Sequence, residues 1–190
     1  MDKIFNPFRH ITGTKALVMG LIFIVATSLI EWSNGLAQDS YIHYTYSNAT
    51  LWRVVALDLF YWLLPTLLLY VCGLILSRSQ IRLVDVFGTA AFAKLLLLPM
   101  LALQLLPCVQ TQMKGVVDAI MSGAQPTGVQ LTVTTLYGIW ALAWLILYYV
   151  WAYNGYATSC NVRGWRAILL FVLVQIVVTI ASTLWGSYLL

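Results

Sequence analysis

Residues 167–188 read AILLFVLVQIVVTIASTLWGSY, a run of 22 residues that contains no charged side chain. An α-helix needs about 20 mainly apolar residues to cross the hydrocarbon core of a bilayer, so this run is long enough to span a membrane. Backbone N–H and C=O groups in lipid must bond within their own segment, and a single apolar run can therefore cross only as a helix. The stretch predicts an all-α membrane protein.

Four further apolar segments meet the same length criterion, which gives five predicted spans. The spans are residues 14–32, 54–77, 85–106, 130–153 and 167–188. The 190-residue chain is 62% hydrophobic and only 8% charged, whereas a typical soluble domain carries about 25% charged residues. Because the sequence shows no internal repeat and no linker, we predict that residues 1–190 form a single integral membrane domain, a polytopic helical bundle.

The distribution of basic residues predicts the orientation of the spans. Seven Lys and Arg residues belong to one side: Lys3, Arg9, Lys15, Arg78, Arg82, Arg163 and Arg166. The loops of the opposite side hold only Arg53 and Lys114. Because basic residues are enriched on the cytoplasmic side of a membrane, we expect a cytoplasmic N-terminus and, after five crossings, an external C-terminus. The net charge of +4 forms no basic face, so we expect no nucleic-acid partner.

Lys94 is the most unusual residue, because it places a charge inside span three, between Ala93 and Leu95. A Lys near the bilayer centre costs ~2.5–3.5 kcal/mol on insertion scales, so it should face other helices, a watery cavity or a partner. At ~1.5 Å per residue from Asp85, Lys94 lies roughly 13 Å below the cytoplasmic edge, within marginal reach of that surface by snorkelling. Two alternatives therefore stand: an amine that snorkels, and a buried ion pair with a structural or functional role.

Asp58, near the outer end of span two, is the partner for Lys94 by charge. Counted along the helices, however, the two residues lie on the order of 10 Å apart in depth, so a direct bridge requires a shifted or tilted helix. Glu31, at the outer end of span one, is no closer and is interpreted as an interfacial anchor. Arg82 and Asp85, at the start of span three, complete the candidate functional or structural polar residues.

Small residues and prolines inside the spans predict where helices approach and bend. Two pairs stand at helical spacing and are predicted helix-packing positions: Gly88 with Ala91 in span three, and Ser182 with Gly186 in span five. Pro65 in span two and Pro99 in span three each remove a backbone hydrogen bond and should bend their helices.

Two predicted outer loops, residues 33–53 and 107–129, are longer than the cytoplasmic loops. In the second, apolar residues recur at helical spacing over residues 113–121, which predicts a short helix on the membrane surface. This helix, with Phe5 and Phe8 near the N-terminus, also allows a lipid-binding or bilayer-shaping role.

The sequence lacks the signatures of catalytic, cofactor and metal sites. It contains no paired carboxylates at fixed spacing within a span, no HExxH and no Gly-rich phosphate loop. The three cysteines show no ligand-like spacing to either histidine, and the predicted topology separates Cys108 from Cys72 and Cys160. We therefore expect no catalytic residue, no cofactor, no metal site and no intramolecular disulfide, and hence a non-enzymatic protein.

Three segments carry a further pattern: NPFRHIT at residues 6–12, IRLVDVFGT at 81–89, and YNGY at 153–156 followed by NVRG at 161–164. Together with the five spans and the cytoplasmic N-terminus, they resemble bacterial members of the Yip-domain family, named for Ypt-interacting proteins. The resemblance covers nearly the whole chain. It implies a non-enzymatic protein of the bacterial inner (plasma) membrane with a role in membrane organisation or protein interaction.

The eukaryotic members of that family interact with small GTPases in vesicle traffic and carry a long soluble N-terminal arm. The corresponding segment of this chain is only about 14 residues long, so we expect no small GTPase binding. The expected partners are the lipid bilayer and either a second copy or another membrane protein. Two alternatives stay open: a small transporter or permease subunit with a polar path near Lys94 and Asp58, and the lipid-binding or bilayer-shaping protein.

Overall fold

The computed structural model describes residues 6–11, 13–77 and 79–189, without the side chains of Arg9 and of residues 185–189. Its α-helices are α1 (Gly13–Ser33), α2 (Leu51–Leu76), α3 (Leu83–Ala93), α4 (Leu98–Gln104), α5 (Pro107–Met121), α6 (Gly128–Ser159) and α7 (Trp165–Leu189). Two short 3₁₀ segments, Pro7–Arg9 and Lys94–Leu97, precede α1 and follow α3. The strands β1 (Leu36–Ser40) and β2 (His43–Tyr46) lie between α1 and α2.

The five predicted spans and the helical-bundle class are confirmed. The helices long and apolar enough to cross a membrane are Gly13–Ser33, Leu51–Leu76, Leu83–Gln104, Gly128–Ser159 and Trp165–Leu184. Each begins at most three residues before its predicted start. The agreement is close because hydrophobic length, the property that defines a span, is read directly from the sequence.

The third span changes its helical geometry in the middle. The α-helix ends at Ala93, Lys94–Leu97 tighten into a 3₁₀ turn, and the α-helix resumes at Leu98. Pro99 has no N–H to donate to the carbonyl four residues earlier, and its ring crowds that carbonyl, which favours a departure from α geometry in the preceding turn. Pro65, by contrast, lies buried within the unbroken helix α2.

Residues 33–53, expected as an outer loop, contain an antiparallel β-hairpin that the all-α prediction missed. Leu36 pairs with Tyr46 and Gln38 with Tyr44, and the register shifts between Gln38 and Ser40. Strand β1 and Tyr41 in the turn are largely buried. The sequence signal was weak because the strands have only five and four residues and the turn lacks an Asn-Gly or Asp-Gly pair.

The chain divides into two compact units, Met1–Leu95 with Val150–Leu190, and Leu96–Tyr149. Within the second unit, α6 packs on the resumed part of the third span. Tyr137 donates a hydrogen bond to Gln104 Oε1 at 3.0 Å, and the Trp140 indole N–H donates to the Pro99 carbonyl at 3.0 Å. The predicted surface helix of this unit is longer than expected, because α5 already begins at Pro107.

The core of the first unit is a seam of small residues between α1 and α3, referred to below as the small-residue seam. A Cβ added at Gly20 would lie 2.6 Å from the carbonyl carbon of Ala91. One added at Gly88 would lie 2.7 Å from the Gly13 carbonyl oxygen and 3.3 Å from Ala16 Cβ. The two backbones are therefore closer than side chains at Gly20 and Gly88 permit, and the structure places both Gly88 and Ala91 in this contact.

An aromatic cluster adjoins the α3 side of this core. Phe8 is fully buried, with its ring centroid 6.2 Å from that of Phe92 and 6.0 Å from that of Trp151, edge-on in both cases. Phe92 and Trp151 stack at 5.9 Å. Phe8 is therefore a core residue and not the membrane-inserting side chain that the lipid-binding alternative had assumed, and Phe5 lies outside the described residues.

Candidate functional site

Lys94 is buried at the point where the third span changes to 3₁₀ geometry, and its ammonium group bonds inside the protein. Only 9% of the residue is exposed. Its Nζ donates to the backbone carbonyl oxygen of Asp58 at 3.2 Å and, over a longer 3.5 Å, to Gln38 Oε1. The sequence left open whether the Lys94 amine snorkels to the cytoplasmic surface or is buried. In the structure the amine is buried.

Asp58 joins the same cluster through two different groups. Its backbone carbonyl accepts the bond from Lys94, whereas its buried carboxylate accepts a hydrogen bond from Ser28 Oγ. The sequence predicted that Lys94 and Asp58 differ in depth by about 10 Å. The four-carbon side chain of Lys94 spans much of that distance, so its Nζ reaches Asp58. Lys94 Nζ bonds the backbone carbonyl oxygen of Asp58, so the contact between Lys94 and Asp58 is a hydrogen bond to the backbone.

Glu31 is the third ionisable residue of this cluster, and the prediction that it is an interfacial anchor is wrong. It is 1% exposed, and its Oε2 has no hydrogen-bond partner among the described residues. It interacts electrostatically with both Asp58 and Lys94. The spacing of residues in α1 did carry a signal. One helix face, with intervals of three and four residues, holds Gly20, Ile24, Ser28 and Glu31, and the structure buries that face.

Gln38 connects the hairpin to this cluster. Its side chain is fully buried in β1, where its Nε2 donates to the carbonyl oxygen of Tyr41 at 2.7 Å and its Oε1 faces Lys94 Nζ. The amide therefore uses its donor within the hairpin and its acceptor toward the third span. We call Ser28, Glu31, Gln38, Asp58 and Lys94 the polar cluster.

Two further bonds hold the hairpin between the helices. The backbone N–H of Tyr41 donates to Ser182 Oγ of α7 at 3.1 Å, and the Tyr61 hydroxyl of α2 donates to the Asp39 carbonyl oxygen at 2.9 Å. Non-helical backbone is tolerated at membrane depth only where protein surrounds it, and these contacts provide such surroundings. The structure thus places Ser182, predicted as a helix-packing residue, on the hairpin, and the environment of Gly186 lies outside the described side chains.

The exposed end of the hairpin carries a titratable pair. His43 Nδ1 lies 2.7 Å from Asp39 Oδ1. This hydrogen bond raises the pKa of His43 above its ordinary value of 6.5, and partial burial of the imidazole opposes the increase. Both residues belong to the hairpin and not to a membrane-spanning helix.

The other candidate polar residues lie at the opposite end of the third span. Arg82 is exposed and precedes α3, and Asp85 lies in the first turn of that helix. The Asp85 carbonyl oxygen accepts bonds from Thr89 Oγ1 at 2.9 Å and Ser159 Oγ at 3.1 Å. Nine residues of helix, about 13 Å, separate Asp85 from Lys94, so neither Arg82 nor Asp85 belongs to the polar cluster.

The cysteines contribute no chemistry to the polar cluster. Cys72, Cys108 and Cys160 are free thiols, and burial raises the pKa of Cys160, just beyond the end of α6, to about 12. Within the described ranges, no group of three or more His, Cys, Asp or Glu side chains is placed to hold a metal ion.

Comparison of the chain with models of known protein families gives no match, and the same holds for curated proteins and for solved structures. The Yip-domain resemblance therefore stays a prediction. The class of protein follows from the structure itself: five apolar helices form a multi-pass α-helical membrane protein with a buried polar cluster beneath a hairpin.

Proposed function

We propose that the protein is a non-enzymatic organiser of the bacterial inner membrane that acts by binding a second copy of itself or another membrane protein. The observation that carries this proposal is the bonding of Lys94 to Asp58 and Gln38. A buried polar network whose members bond one another makes a bundle rigid and specifies one packing. Here it fixes the hairpin to the spans, and a rigid bundle can present a constant surface to a partner in the bilayer.

The exposed apolar faces of the first unit are the surfaces on which such a partner would be found. Ile22 of α1 is 62% exposed and Ile180 of α7 is 58% exposed, whereas Ile24 of α1 is only 2% exposed. Helix association in lipid depends on close packing rather than on the hydrophobic effect, so a partner on these faces must make specific contacts.

Site-specific photo-crosslinking in intact bacterial cells tests this proposal. A photoreactive amino acid is placed at Ile22 or Ile180, with the buried Ile24 as the matched control. We expect a discrete protein adduct from at least one exposed position and none from Ile24. If irradiation at both exposed positions leaves only the uncrosslinked chain, the interaction role is contradicted.

A second candidate, a small transporter or permease subunit, is favoured by Glu31. Its buried and unpaired Oε2 lies in a cluster with a second carboxyl group and an amine, which are groups that can exchange a proton. The test is proton flux into liposomes that contain the protein and the trapped dye pyranine, driven by a potassium and valinomycin potential. An organiser gives no more flux than empty liposomes. Flux that is lost in Glu31→Gln while the variant stays folded would replace the organiser by a transporter.

A further inference from the structure

A recess of about 450 Å³ opens where α2 ends and α7 begins. Leu76 and Ser79 line it from the end of α2 and the following loop, and Arg163, Arg166 and Ala167 line it from the start of α7. Both segments lie on the side that carries the excess of basic residues, which the positive-inside rule assigns to the cytoplasm. All of these residues belong to the first unit.

The two arginines give the recess a positive charge that the protein does not neutralise. Within the described ranges, neither Arg163 nor Arg166 forms an ion pair with a carboxylate. The guanidinium carbon of Arg166 lies 5.7 Å from the ring centroid of Trp165, an indole that is 69% exposed. Because exposed indoles favour the level of the lipid headgroups, this contact holds Arg166 at the depth where phosphates lie.

The backbone of the recess also favours an anion. The first intrahelical bond of α7 runs from the Ile168 N–H to the Gly164 carbonyl oxygen at 3.3 Å. The N–H groups of the preceding turn have no acceptor within the helix, and they form the positive end of its dipole. Gly164, at φ +92°, allows the sharp turn that leads the chain from Arg163 into α7. Two guanidinium groups beside a helix N-terminus match the charge and the hydrogen-bonding capacity of a phosphate.

The rest of the recess indicates that the phosphate belongs to a lipid. Leu76, Val162 and Ala167 give it an apolar wall next to the polar one.

We propose that the recess binds the phosphate of an anionic glycerophospholipid, such as phosphatidylglycerol. Arg163 and Arg166 donate to the phosphate oxygens, and the apolar wall contacts the glycerol and the first part of the acyl chain. This site goes beyond the proposed function and does not depend on it, because a lipid can occupy the recess whether or not a protein partner binds elsewhere.

Native mass spectrometry of the full chain, purified in mild detergent, tests the site. The protein is incubated with equimolar phosphatidylglycerol and phosphatidylcholine of identical acyl chains, and the retained adducts are counted. We expect one phosphatidylglycerol in clear preference to phosphatidylcholine. Arg163→Gln with Arg166→Gln should lower its retention about tenfold, because two charge-assisted contacts are lost, whereas Arg163→Lys with Arg166→Lys should keep part of it.

The matched control is Arg53→Gln with Lys114→Gln, which removes the same charge from the opposite predicted side and should retain the lipid like the wild type. Equal retention of both lipids by the wild type would overturn the proposal without the need for any variant. Equal loss in the control pair would overturn it as well, because the attraction would then be nonspecific. A further arm adds millimolar inorganic phosphate. If phosphate displaces phosphatidylglycerol, the recess is a site for free phosphate and the lipid proposal fails.

Discussion

Two regions of the first unit hold its segments together by opposite means: the small-residue seam joins α1 to α3, and the polar cluster joins α1, the hairpin and Lys94 to α2. In the small-residue seam, α1 lies against Ala91 at Gly20, and this contact is possible only because Gly20 has no Cβ. In the polar cluster, about 12 Å farther along α1, Ser28 and its neighbours are buried polar groups that depend on partners being present. The seam is therefore destabilised when volume is added, whereas the polar cluster is destabilised when a partner is removed.

The largest effect is expected from adding one methyl group to the seam. Gly20→Ala places its Cβ against the backbone of Ala91, so the helices must separate, and we expect a loss of about 3 kcal/mol in the free energy of unfolding. The matched control is Gly138→Ala, because a Cβ at Gly138 meets nothing within 4 Å. Alanine is the better helix former, so the control should be neutral or stabilising by about 0.5–1 kcal/mol. Thermal melting in mild detergent measures both, and equal melting temperatures would refute the close approach.

A smaller effect is expected from removing the ammonium group of the polar cluster. Lys94→Met leaves the Asp58 carbonyl and Gln38 Oε1 without their donor, and it also removes a costly buried charge, so we expect a net loss of about 2 kcal/mol. Lys114→Met, at an exposed lysine of α5, is the control and should change little. If the Lys94 variant is folded in the same yield and melts like the wild type, the bonds of Lys94 do not hold the hairpin.

Ser182→Ala should have a smaller effect, confined to the hairpin. It removes the acceptor for the Tyr41 N–H, which costs about 1 kcal/mol when the amide stays buried. Hydrogen exchange of the hairpin amides should become faster while exchange in the small-residue seam stays unchanged. Ser33→Ala is the control, since Ser33 is exposed and its hydroxyl bonds to Ile30 and Asn34, which are close in sequence and lie outside the hairpin. Uniformly faster exchange in both regions would show that the hairpin is not a separate element of stability.

The smallest effect is the pH dependence of the exposed end of the hairpin. The bond to Asp39 raises the folded-state pKa of His43 above 6.5, so protonated His43 stabilises the hairpin fully below pH 6.5, and this contribution is lost as the pH rises through the raised pKa. Asp39→Asn should bring the pKa of His43 back toward 6.5. The carbonyl that accepts the Tyr61 bond stays in place. An NMR titration of the His43 ring measures the change, and an unshifted titration in the variant would contradict the pairing.

Some residues of the candidate site could be predicted from the sequence, and others could not. Lys94 and Asp58 could be singled out because a charge inside an apolar run is visible by itself. The prediction for Glu31 was wrong because this residue lies at the end of its span, where a carboxylate is usually exposed to water. Gln38 and Tyr41 gave no signal, because nothing in a polar loop indicates that it folds back between helices.

The five spans could be predicted from the sequence alone, because hydrophobic length is a property of contiguous residues. The missing proline N–H predicted a bend at Pro65 and at Pro99 alike, whereas α geometry is interrupted before Pro99 and continues through Pro65. The hydrogen bonds among Ser28, Gln38, Asp58 and Lys94 are visible only in the tertiary structure, as is the bond between Ser182 and the hairpin. These residues come from five separate segments, and hydrogen bonds between segments depend on how the helices pack. That packing depends on close contacts between distant residues, such as Gly20 against Ala91, which no local pattern encodes.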